Sequence, residues 1–211
     1  MRVVRTVTVV AVVSSAVWLP VGLTTAKAFA ANVTIGGYQV VEHTVSLPAG
    51  GFVRQTALCP AGKVVLGGGA AVVGSGSANF GTEMQESEPG TIGTTTSLWL
   101  AAVSNHSANN YTLGIFAVCS AKPKGYKVVE HAVSLPAGGF VRQTALCPAG
   151  KVVLGGGAAV VGSGSANFGT EMQESDPGTI GTTTSLWLAA VSNHSANNYT
   201  LGIFAVCARR T

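Results

Sequence analysis

Residues 37–119 recur as residues 125–207 at a fixed offset of 88, and only three of the 83 positions differ: Gln39/Lys127, Thr44/Ala132 and Glu88/Asp176. Whatever this segment folds into, the chain must make it twice. The intervening residues 120–124, Ser-Ala-Lys-Pro-Lys, reach at most about 17 Å when extended, so the two products are near neighbours. A period of 88 exceeds the roughly 20 to 50 residues of solenoid repeats, so each copy reads as a complete small domain. The competing arrangement is one closed structure to which each copy contributes half. Near identity between the copies says little about which residues the function requires.

Inside a copy the apolar pattern has period two. Val41, His43, Val45 and Leu47 alternate with Val40, Glu42, Thr44 and Ser46 up to the turn signal Pro48-Ala-Gly-Gly51. Phe52–Cys59 follows, then a second turn at Pro60-Ala-Gly62. Lys63–Val73 is an apolar strand broken by Gly67, Gly68 and Gly69, the mark of a bulge or a close backbone approach. Phe80–Ser87, Thr95–Ser104 and Asn110–Cys119 complete about six strands, with Pro89-Gly90 read as a turn. The last strand is apolar on nearly both faces and so belongs in the middle of a sheet. The expected fold is all-β: two tandem antiparallel β-sandwich or barrel domains, repeat 1 over 37–119 and repeat 2 over 125–207, joined by the linker 120–124.

Each copy carries two cysteines, Cys59 with Cys119 and Cys147 with Cys207. Four cysteines allow three pairings, and duplication selects one of them, because a single ancestral unit had only its own two partners. An internal disulfide closing a loop of 60 residues removes chain entropy worth roughly 4 kcal/mol, large beside the marginal core of so small a unit. The Cys-Pro-Ala-Gly context lacks the close second ligand of a zinc site, so no metal or other cofactor is expected.

Disulfides require an oxidising compartment, and residues 1–30 carry the matching address. Arg2 and Arg5 precede an apolar run from Val7 to about Val21, and Ala28-Phe29-Ala30 offers a small-residue cleavage site, with Ala26-Lys27-Ala28 as a second. The chain is therefore expected to be secreted. Of its twelve Lys and Arg, three lie in this leader, leaving nine against eight acidic side chains, a mature formal charge of +1. Five of these nine cluster at Lys122, Lys124 and Lys127 and at Arg209 and Arg210, outside the expected strands, and the other four are spread through the repeats. No basic stripe remains to neutralise phosphates, so nucleic acid is excluded as a partner, and no membrane insertion is expected once the leader is removed.

Residues able to do chemistry are few. Glu83, Glu86 and Glu88 form the acidic cluster; Glu86 and Glu88 share a strand face about 7 Å apart, a spacing usable in acid/base work on a glycoside. The simpler reading is a solvated edge whose charge discourages pairing. His43 and His131 lie on an apolar face, and no Gly-x-Ser-x-Gly elbow is present. Recognition is better placed in the loop Asn105-His106-Ser-Ala-Asn109-Asn110-Tyr111 and its copy Asn193, His194, Asn197, Asn198 and Tyr199, where amides stand beside an aromatic ring. Trp99 and Trp187 read as core.

The string Cys59-Pro-Ala-Gly-Lys-Val-Val-Leu-Gly-Gly-Gly69, followed by Trp99 and a terminal Ala-Val-Cys119, resembles a recurrent pattern in small secreted actinobacterial proteins. The resemblance covers each repeat, implies a secreted β-domain, and brings no activity with it. Duplication without a catalytic constellation points to a non-enzymatic protein whose two domains bind an extracellular glycan or protein surface bivalently. The alternatives are a secreted enzyme inhibitor and a hydrolase using Glu86 and Glu88. Cleavage after Ala30 is expected, so the intact mass of the exported protein should correspond to a chain beginning at Ala31.

Overall fold

The computed structural model describes residues 33, 35–74, 81–93, 96–161, 169–180 and 184–210; the leader expected at 1–30 lies outside them. The first copy forms β1 (Gln39–Leu47), β2 (Phe52–Leu58), β3 (Lys63–Val73), β4 (Thr82–Ile92), β5 (Thr96–Asn105) and β6 (Tyr111–Ala121). The second forms β7 (Lys127–Leu135), β8 (Phe140–Leu146), β9 (Lys151–Val161), β10 (Thr170–Ile180), β11 (Thr184–Asn193) and β12 (Tyr199–Arg209). All pairings are antiparallel.

Each copy is a sandwich. In the first, a sheet ordered β1-β6-β3 faces one ordered β2-β5-β4; in the second, β7-β12-β9 faces β10-β11-β8. The doubly apolar strand β6 is central in its sheet, as its composition requires. Leu113, Ile115 and Ala117 of β6 meet Trp99, Ala101 and Val103 of β5 in the core, all nearly or wholly buried. Disulfides Cys59–Cys119 and Cys147–Cys207 tie the end of one sheet to the central strand of the other, with Cα atoms 5.6 and 5.8 Å apart. Pairing is thus internal to each copy.

The glycine triplet breaks the β3 register between Val65 and Gly67, the bulge its composition implied. Gly68 has a separate cause: a Cβ there would overlap the Trp99 ring and the Phe116 carbonyl oxygen, and Gly156 stands against Trp187 and Phe204 in the same way. Three sequence readings are corrected. Pro89-Gly90 is not a turn, because β4 runs through it to Ile92; Pro89 lies beyond the last residue of β4 that pairs with a second neighbour, where its missing N–H costs nothing. Ser120 and Ala121 are not linker, since they extend β6 opposite Val64 and Lys63. Arg209 is not tail but the last residue of β12, and its N–H donates to the Lys124 carbonyl at 2.9 Å.

The copies do not stay apart. Strand β4 pairs with β9 through Glu86↔Ala159 and Ser87↔Ala158, which fuses β2-β5-β4 and β9-β12-β7 into one six-stranded sheet. This seam depends on glycine. A Cβ on Gly157 would overlap the Ser87 carbonyl, and one on Gly155 the Leu66 carbonyl. Tyr126 closes the joint from the connector by donating its hydroxyl to the Val65 carbonyl at 2.8 Å, whereas its counterpart Tyr38 is 56% exposed.

Identical residues therefore occupy unlike places. Gly155 through Val160 are all buried, while Gly67 through Val73 are half-buried or exposed; a Cβ on Gly69, the equivalent of Gly157, would touch nothing within 4 Å. Gly157→Ala is expected to lower stability by about 2 kcal/mol or more, whereas Gly69→Ala changes it by less than about 1 kcal/mol, as read from denaturant unfolding of both variants.

Candidate functional site

Among the described residues, two regions bring polar side chains together: one end of the fused sheet, and the outer face of the seam.

At the end, the β5–β6 loop folds against the turn between β1 and β2. Asn105 organises it. Its Nδ2 donates to the carbonyls of Pro48 at 2.9 Å and Asn109 at 2.7 Å, and its Oδ1 accepts from the Ser107 N–H at 3.0 Å and hydroxyl at 2.7 Å. Asn110 accepts from the Ala49 N–H at 2.8 Å, and Tyr111 is buried in the core. These three are held within the fold. His106 and Asn109 remain exposed, with His106 Nε2 3.1 Å from the Glu83 carboxylate. The second loop repeats this arrangement: Asn193 bonds to Pro136 and Asn197, Asn198 accepts from Ala137, Tyr199 is buried, and His194 lies 3.6 Å from Glu171. Gly81 and Gly169, with φ of 83°, turn the chain beside these loops and accept the N–H of His106 and His194 at 2.6 Å.

Because β4 and β9 are antiparallel, the start of β4 and the end of β9 lie at the same end of the sheet. The first loop adjoins the former through Thr82↔Asn105, and the second adjoins the latter through Val161↔Thr200. Both loops thus project from one edge, and the order β5-β4-β9-β12 separates them by three strand spacings, roughly 14 Å.

On the outer face, cross-strand partners form rows. Arg54, Ala102 and Glu86 make one row, which continues over the seam through Ala159 and Gly202 to Ala132. The small Ala102 lets Arg54 reach across it and donate from Nε to Glu86 Oε2 at 2.6 Å. Glu86 is only 7% exposed, so the solvated edge expected of this cluster does not form in the first copy. Its equivalent Glu174, likewise bonded to Arg142 at 2.7 Å, does lie open to solvent, as does Asp176. The adjacent row sets Glu88 beside Leu100 and places Phe204 opposite Glu130. Burial, then the Glu86 charge, push the Glu88 carboxyl up to about 7; Arg54 opposes this and Glu130 adds to it.

The Arg54 and Glu130 contributions were not legible in the sequence. They depend on a one-residue bulge at Gln85 and on pairing between copies, and neither leaves a periodic signal. Chemically, a carboxyl that keeps its proton up to about pH 7 sits beside one bonded to arginine, an arrangement that acid/base chemistry can use. Space is lacking, however. The cleft along the seam, lined by Pro89, Gly90, Thr91, Val128, Glu130 and Phe204, holds about 190 Å³, below the roughly 300 Å³ at which ligand pockets begin. Comparison of the chain with protein-family models, curated proteins and solved structures returns no match.

Glu88 binds its proton more tightly in the folded state than at the ordinary value of 4.5, so its contribution to stability is complete below about pH 4.5 and is lost as pH rises through about 7. Glu88→Gln, which mimics the protonated form, should raise the melting temperature at pH 8 and leave it nearly unchanged at pH 4.5, as followed by thermal denaturation at both pH values.

Proposed function

We propose that this is a secreted, non-enzymatic binding protein whose β5–β6 and β11–β12 loops engage a repetitive extracellular glycan or protein surface together. The observation that carries the reading is the common edge: antiparallel pairing across the seam brings both loops to one end of a single sheet, roughly 14 Å apart. Two disulfide-held sandwiches supply a rigid base, and the internal bonds of Asn105 and Asn193 fix the loop backbones. His106, Asn109, His194 and Asn197 present ring nitrogens and amides suited to hydroxyl and amide groups. Fixed spacing also lowers the entropic cost of the second contact, so affinity for a repetitive target exceeds that of either loop alone.

The disulfides are compatible with an extracellular protein, and secretion follows from reading residues 1–30 as a leader. Binding to insoluble polysaccharides, cell-wall polymer and immobilised surface protein tests the proposal. With His106→Ala/Asn109→Ala, apparent affinity for the bound polymer should fall by about 100-fold or more through loss of bivalency. Adding His194→Ala/Asn197→Ala should abolish binding. A quadruple variant that binds like the parent overturns the reading.

A further inference from the structure

Folding gathers charge that residue order keeps apart. Nine Lys and Arg follow the leader, and seven of them lie at one end of the molecule, the end opposite the β5–β6 and β11–β12 loops. Lys63 and Lys151 open β3 and β9, Lys127 opens β7, and Arg209, paired with Lys151, closes β12. Lys122 and Lys124 come from the connector between the copies, and Arg210 follows β12. The end is common to both copies because β4 and β9 are antiparallel, which sets the close of β4 beside the start of β9.

The connector holds this group together. Arg209 packs over Gly125, where a Cβ would overlap its Cγ, and Lys151 Nζ donates to the Gly125 carbonyl. Lys122 Nζ stands 6.0 Å from the centre of the Tyr126 ring, whose hydroxyl is bonded to β3. One of the differences between the copies adds to the charge: Gln39 accepts from Lys63 Nζ at 2.8 Å, and the matching residue of the second copy is Lys127. Among the described residues, none of the seven makes an ion pair; the pairs formed belong to Arg54, His106, Arg142 and His194. No acidic side chain among the described residues shares this end. Glu42 and Glu130 stand three residues in from the starts of β1 and β7, and Glu88 and Asp176 four from the ends of β4 and β10, roughly 10 Å or more back. Like charges so placed repel one another, and an anionic partner relieves the repulsion.

Apolar side chains share the same end. Leu58, Ile92, Leu146 and Ile180 close β2, β4, β8 and β10 there, and all four are exposed, as is Tyr38 before β1. Basic groups among exposed aliphatic and aromatic ones fit a lipid surface, whose headgroups meet the charge and whose acyl boundary takes the apolar side chains. A soluble polyanion would use the charge and leave the apolar side chains in water.

We propose that this end of the molecule docks on the surface of an anionic lipid bilayer, without spanning it. Central strands of 11 residues then hold both recognition loops roughly 35 Å away, on the side facing away from the lipid. The proposal takes export from the proposed function and is otherwise independent of it, because the loops lie at the other end and no glycan or protein target enters the assay.

The test is co-sedimentation of the exported chain with vesicles of phosphatidylglycerol mixed with phosphatidylcholine, and with vesicles of phosphatidylcholine alone. The expected result is binding to the anionic vesicles only, weakening steeply as salt is raised. Lys122→Gln/Lys124→Gln/Arg210→Gln should lower that binding by about 100-fold. Ile92→Ser/Ile180→Ser should lower it by about 10-fold while leaving binding to inorganic polyphosphate as in the parent. Both variants change exposed side chains and should melt at the parent's temperature. Absence of binding to the anionic vesicles at low salt, or parent-like binding by the Lys/Arg variant, would overturn the proposal. Parent-like binding by the isoleucine variant, or tighter binding to polyphosphate than to the vesicles, would overturn it in favour of a soluble polyanion.

Discussion

Two cross-strand residue pairs, Glu86 with Ala159 and Ser87 with Ala158, set the relation between the halves of this molecule. They are few because the contact is a meeting of strand edges, in which backbone comes close to backbone. Only glycine leaves room: a side chain at 155 or 157 would occupy the space of the Leu66 or Ser87 carbonyl. The triplet thus has two roles in one stretch of three residues. Its middle member accommodates the tryptophan of its own sandwich, and its outer members accommodate the other copy.

The fused sheet follows from that contact, and with it the alignment of the β5–β6 and β11–β12 loops, the burial of Glu86 and the raised Glu88 carboxyl. Each of these is a property of the first copy's neighbourhood and not of its sequence. Glu174 and Asp176 have nearly the same local sequence, and Glu174 has the equivalent arginine partner, yet both stand in solvent because β10 ends its sheet where β4 is paired with β9. The Tyr126 hydroxyl makes the same point, since burial against the first sandwich raises its pKa while Tyr38 remains open.

Much of each sandwich could be read from residue order. Alternation in β1, the doubly apolar β6, the glycine bulge in β3 and the internal disulfides all arise from interactions within one copy, where pattern and partner are close enough to be inferred. The β5–β6 loop was legible as a polar loop, but the division of labour inside it was not. Asn105 and Asn109 are the same residue type in the same segment; one is buried with its amide fully used and the other is exposed, and only the position of the Pro48 carbonyl decides which. Pro89-Gly90 misled for a similar reason, because a proline ends a strand only where a neighbour needs its N–H.

By itself, the sequence determined that the chain makes one disulfide-held antiparallel β-unit, sandwich or barrel, twice and places the copies within a short connector of each other. Those outcomes rest on period-two burial, cysteine count and chain length, all local or additive quantities. The tertiary structure alone decided which edges meet, and so which carboxylates are buried, which tyrosine is covered and which strands are left at the rim. Two nearly identical sequences cannot specify different environments for themselves. Asymmetry enters only when the edge of one copy is placed against the edge of the other, because desolvation and backbone pairing are properties of the contact.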